Sequence, residues 1–141
     1  MCVIYEEEEP VGHDLNQCTI ETLYSDVLNR LSKHCRIEAD KWYHSPVTGE
    51  MLFLNHGERF MLMVSEISEA MEGKRKNLMD DKLPHRQMVE VELADLLIRV
   101  FDYAGDNNLD LGGALVEKLE YNRHRADHTH AARSGPNGKK F

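Results

Sequence analysis

VELADLLIRVFD, residues 91–102, is the stretch whose reading decides the fold. With its flanks it supplies Met88, Val89, Val91, Leu93, Ala94, Leu96, Leu97, Ile98, Val100, Phe101, Tyr103 and Ala104. At ~100° per residue these apolar positions cover roughly 240° of a helical surface. In the remaining gap stand Glu92, Asp95, Arg99 and Asp102. A helix apolar over most of its circumference belongs in an interior. Its charges must therefore be paired, bound to metal or lining a cleft. The pattern predicts a helix over about 84–107, with Pro84 in the first turn, where its missing N–H is no loss.

Glu92-x-x-Asp95 has a counterpart upstream, Glu66-x-x-Glu69. Spacing of i,i+3 sets both members of each pair on one helix face. Between the pairs lie 22 residues (70–91), enough for one helix to end and an antiparallel neighbour to begin. If the two helices pack, four carboxylates converge on one small volume and repel unless cations sit between them. Such hard oxygen donors favour Mg²⁺ or Mn²⁺, which points to metal-assisted chemistry on a phosphate. The upstream helix is predicted over 57–76, with Phe60, Met63, Val64, Ile67, Ala70 and Met71 as its apolar stripe. Glu66 and Glu69 lie on a shoulder of that stripe, with Leu62 projecting between them. The plainer reading is solvated faces, or ion pairs with Lys74, Arg75 and Arg99, because E-x-x-E alone is common on surface helices. The second pair, set on an otherwise apolar helix, favours the metal site. Asp102, i+3 from Arg99, is either a further ligand or the partner that holds Arg99. Ordinary Arg–carboxylate pairing favours the latter.

Working outward, Ile20, Leu23, Val27, Leu31 and Cys35 predict a helix over 19–40, with Thr19 as N-cap. Residues 41–55, with Trp42, Pro46 and Gly49, read as an ordered loop with a short hairpin. Asp110 opens a fourth helix that runs to about Arg125, with Leu111, Leu115 and Leu119 inward. Near its end Lys118, Asn122 and Arg125 follow i, i+4, i+7 and share one face. Two cations and an amide in line suit a polyphosphate; alone they equally suit a helix dipole. Opposite an acidic metal site, the phosphate reading prevails. Trp42 is a candidate to stack on a base, although a lone Trp after a helix is more often a core or interface residue. His124, His128 and His130 have no Cys or third fixed ligand beside them and do not read as a zinc site.

The organisation is then an acidic mobile arm over 1–17, an all-α domain over 18–125 and a flexible polar tail over 126–141. Of 141 residues, 41% are hydrophobic and 30% charged, and the net charge is −8. That balance argues against stable nucleic-acid binding over a broad face. An anionic nucleotide needs metal and a few aimed cations here. Three cysteines without a C-x-x-C, and no basic leader, point to a reducing cytoplasm. No run approaches ~18 apolar residues, so no membrane span is expected.

EISEAMEG (66–73), then VELADLLIRVFD (91–102) and KLEYNRHR (118–125), resemble the MazG-like nucleotide pyrophosphohydrolases. The likeness covers about residues 55–125 and the closing NGKKF, which is similar to the ending of small, phage-type members. It implies a four-to-five-helix bundle completed by oligomerisation, as a homodimer or homotetramer. It also implies hydrolysis of a nucleoside or deoxynucleoside triphosphate to monophosphate and pyrophosphate. Glu66, Glu69, Glu92 and Asp95 would hold Mg²⁺ and carry the catalysis, with Glu66 or Glu69 orienting the attacking water. Lys118, Asn122 and Arg125 would hold the phosphates. The rivals are a phosphoribosyl-ATP pyrophosphatase-like enzyme, which only substrate comparison separates, and a non-catalytic helical module whose charged stripe fixes dimer register.

Overall fold

The computed structural model describes residues 19–125; the arm, Cys18, His128, His130 and the tail fall outside them. Side-chain caps set three helix starts. Thr19 accepts from the Thr22 N–H at α1 (Ile20–Glu38), and Asn55 accepts from Gly57 and Glu58 at α2 (His56–Lys76). Asp110 accepts from Gly113 at α4 (Leu111–Arg123). Each cap satisfies N–H groups that the first helical turn leaves unpaired. A single 3₁₀ turn, Asp40–Tyr43, follows α1. The hairpin expected within 41–55 is one antiparallel bridge, His44 with Met51.

The remaining helix, α3, spans Met88–Asp106 and has no side-chain cap. It starts four residues later than Pro84 suggested, because the preceding loop consumes that proline. The buried Asp80 carboxylate accepts from the Lys82 and Leu83 N–H groups, and the Arg86 N–H closes a turn onto the Leu83 carbonyl. Pro84 thus occupies the second position of a β-turn, which its fixed φ suits as well as a first helical turn. An antiparallel bridge between Met79 and Gln87 then sets the direction of α3.

The fold is all-α: four helices and the 3₁₀ turn, with no strand among the described residues beyond isolated bridges. α3 packs between α1 and α2, while α4 packs on α1. Gly105 and Gly112 permit the close approach of α3 and α4 to α1. A Cβ at either would overlap the backbone carbonyl of Ser32 or Ser25. No helix among the described residues is long and apolar enough to cross a membrane.

The interior of this single chain is unexpectedly polar. Its buried residues include Tyr43, Ala70 and Ala104, but also Ser32, Glu66, Asp80 and Glu92. The α2 stripe read from sequence divides: Ala70 is buried, whereas Phe60, Val64, Ile67 and Met71 stay open. On α3, Leu93 and Leu97 are 47% and 52% exposed. The all-round apolar helix is therefore only partly covered, because α4 lies on α1 and leaves this side of α3 without a neighbour.

Candidate functional site

The line of α2 that faces α3 runs through Glu66, Ala70 and Gly73, at i, i+4 and i+7. Gly73 leaves room for Met88 of α3, so the helix ends meet closely. Glu66 therefore sits in the helix–helix seam rather than on its shoulder, and is 6% exposed. Glu92, from the facing α3, is 8% exposed. Ligand oxygens of Glu66, Glu69 and Glu92 all lie within 4.8 Å of one another. Two unit charges at 4.8 Å repel by roughly 3 kcal/mol at an effective dielectric near 20.

The repulsion is relieved in two ways. Arg99 Nε donates to Glu66 Oε1 at 2.6 Å. Burial, then a hydrogen bond with Glu66 and the charges of Glu69, Glu66 and Asp95, pushes the Glu92 carboxyl up to about 7. Glu92 thus tends to carry a proton. The fourth acid, Asp95, is exposed and stands outside the tight triad. Partial desolvation and the Glu66 charge raise its pKa, against the opposing pull of Arg99.

Asp95 and Arg99 also border a cleft of about 730 Å³ between the end of α1, the 3₁₀ turn, α2 and α3. Ligand pockets are commonly 300–1,000 Å³. Trp42 lines the cleft with its ring largely exposed, and Leu62 contributes apolar wall. Trp42, Asp95 and Arg99 are therefore brought to one opening, with the carboxylate triad reached through the Arg99–Glu66 contact.

At the far end of the same seam lies a second polar cluster that the sequence did not reveal. Arg59 is paired through one terminal nitrogen with Asp106 at 2.6 Å and through the other with Asp102 at 3.1 Å, and also donates to the Tyr43 hydroxyl. Arg36 pairs with Asp106 and stacks 3.6 Å from the Tyr43 ring centre. Asp102 accepts from Tyr43 and Arg59, so it neither joins the triad nor holds Arg99, as the favoured reading had it. The reason is reach: the Arg99 side chain bonds Glu66 on α2 instead. Arg59 has Asn55 and Met63 one turn away on either side, so no local pattern announced its partners.

The α4 residues are placed apart from the acids, which stand on α2 and α3. Lys118 and Arg125 both lie over the Tyr121 ring, at 4.6 and 5.9 Å. Asn122 Oδ1 is buried without a hydrogen-bond partner among the described residues. His124 pairs with Glu120 on its own helix.

The donor set of the triad is three carboxylates, with no imidazole or thiolate. Two oxygens bound to one ion at 2.0–2.6 Å lie at most about 4–5 Å apart, so this triad fits a hard divalent cation with small side-chain adjustment. No protein-family model matches the chain, and searches of curated proteins and of solved structures found no match.

Proposed function

We propose that the protein is a Mg²⁺-dependent hydrolase that converts a nucleoside or deoxynucleoside triphosphate to the monophosphate and pyrophosphate. The observation that carries this reading is the convergence of Glu66, Glu69 and Glu92 within 4.8 Å, beside a cleft bordered by Asp95 and Arg99. The motif order shared with MazG-like pyrophosphohydrolases supports it. Glu66, Glu69 and Glu92, with Asp95 beside them, would hold the ion, and Mn²⁺ suits the same donors. When bound, a divalent ion would screen triphosphate charge and favour deprotonation of the attacking water. Glu66 or Glu69 would orient a water and take its proton as the oxygen attacks the α-phosphorus. The bond from that phosphorus to the bridging oxygen breaks, and pyrophosphate leaves. Lys118, Asn122 and Arg125 steady the phosphates, and Trp42 stacks on the base.

Because α4 packs away from the acids, we propose a homodimer or homotetramer in which another copy completes the site. The open apolar faces of α2 and α3 support that assembly, and light scattering on the purified chain tests it. The three cysteines suit a reducing cytoplasm, that of the host if the chain is phage-encoded.

The decisive assay is a panel of common ribo- and deoxyribonucleoside triphosphates plus dUTP, with Mg²⁺, resolved by phosphorus NMR. Monophosphate plus pyrophosphate is expected. Diphosphate plus orthophosphate would move the attack to the terminal phosphate and sink the mechanism. With phosphoribosyl-ATP added to the panel, turnover of that compound alone would favour the histidine-synthesis type of enzyme. A second reading, a non-catalytic pairing module, draws on the Arg99–Glu66 ion pair, which satisfies a buried acid without metal. Calorimetry with Mg²⁺ and a non-hydrolysable nucleotide separates the two, since the module gives no heat.

A further inference from the structure

Arg99 stands where the carboxylate triad meets the cleft. Its side chain is 41% exposed, whereas that of its partner Glu66 is 7% exposed. Only Nε is engaged; among the described residues the two terminal nitrogens make no hydrogen bond. Arg59 differs sharply, because both of its terminal nitrogens are spent on Asp102, Asp106 and Tyr43. A guanidinium anchored through Nε, on a residue that lines the cleft, has donors left for an oxyanion.

We infer that Arg99 is a built-in counter-cation that competes with the divalent ion for Glu66 until a phosphate oxygen occupies its terminal nitrogens, so that metal and triphosphate bind cooperatively through this side chain. The inference rests on the metal-site reading above. Glu66 Oε1 cannot give its full charge to both a guanidinium and an ion in the triad. Bringing two cations to one buried carboxylate also sets them against each other. An anionic phosphate between them removes that conflict. Linkage then requires that the nucleotide tighten the metal by the same factor as the metal tightens the nucleotide.

Calorimetric titration of the full chain with Mg²⁺, alone and with an α,β-methylene deoxynucleoside triphosphate, tests this. In the unaltered protein the nucleotide should tighten Mg²⁺ binding by about tenfold, within the usual range of coupling. Arg99→Gln should bind Mg²⁺ alone at least about fivefold more tightly and lose most of the nucleotide-induced gain. Arg99→Lys keeps the charge without the fork; its binding of Mg²⁺ alone should stay within about twofold, while the gain falls at least about threefold. Mg²⁺ binding that is unchanged or weaker in Arg99→Gln, with a helical circular dichroism spectrum, overturns the competition and makes Arg99 a support for Glu66 as ligand. Should Arg99→Gln fail to fold, a full nucleotide-induced gain in Arg99→Lys overturns it instead. Absence of Mg²⁺ heat in the unaltered protein removes the metal reading itself, and the inference with it.

Discussion

Two polar clusters lie along one seam between α2 and α3, and their charges are arranged in opposite ways. At the Tyr43 end, Arg36 and Arg59 meet Asp102 and Asp106, two cations for the two carboxylates of the seam, with hydrogen bonds closing the set; Arg36 also pairs with the exposed Asp40. At the other end Glu66, Glu69, Glu92 and Asp95 share a single cation, Arg99. The first cluster is complete within the chain and acts as structure. The second has an excess of negative charge that folding alone does not neutralise; both clusters give residues to the cleft, Tyr43, Arg59 and Asp102 from the first and Asp95 and Arg99 from the second. Helix packing tolerates such an imbalance only where another cation or protons can enter. The contrast between balanced and unbalanced ends is what separates scaffold from candidate site.

The largest expected effect falls on chemistry at the unbalanced end. Glu69→Gln or Asp95→Asn should lower turnover on the order of 10³-fold while the circular dichroism spectrum remains helical. Full activity in either variant would erase the distinction between the two ends. Arg59→Leu should act oppositely, removing stability and leaving two carboxylates in the seam without their main partner. Its cost is about 2–3 kcal/mol in urea denaturation, discounted for the partial exposure of Asp102 and Asp106. A loss below about 0.5 kcal/mol would show that the balanced cluster is not the scaffold.

The next effect concerns protons. Glu92 has its carboxyl raised from 4.5 to about 7, so the folded protein holds that proton more tightly than the unfolded chain does. The Glu92 contribution to metal-free stability is then fully present below pH 4.5 and is lost as pH rises through about 7, the reverse of an ordinary ion-paired acid. The loss should be on the order of 2 kcal/mol, and Glu92→Gln should flatten it. Mg²⁺ should also restore the lost stability and bind more tightly as pH rises through the same window, with proton release measurable by calorimetry in buffers of different ionisation heat. Stability independent of pH across that window would contradict the crowding at the triad. The smallest effect belongs to a control on α2: Glu72 pairs at the surface with Arg75 and Lys76. Glu72→Gln should leave the unfolding midpoint and turnover where they were, because solvent already screens this acid.

Much of this molecule was legible in the order of its residues. Thr19 and Asp110 announced two helix starts, periodicity gave all four helices, and the i,i+3 pairs put Glu66, Glu69, Glu92 and Asp95 on two helices. These features are local, and local geometry repeats every turn whatever the surroundings. The rotation of α2 about its own axis was not legible, since it depends on which partner the helix meets. The apolar stripe of Phe60, Val64, Ile67 and Met71 argued for one face inward, yet packing on α3 turned Glu66, Ala70 and Gly73 into the seam. Pro84 had two suitable places, and the Asp80-centred loop chose between them. Arg59 and Arg99 had their partners fixed only by packing, 43 and 33 residues away in sequence. Sequence by itself determined which helices form and which acids they carry, because both follow from spacing along one chain. Tertiary structure alone decided which charges are paired and which remain in excess, because pairing depends on contacts between chain segments far apart in sequence.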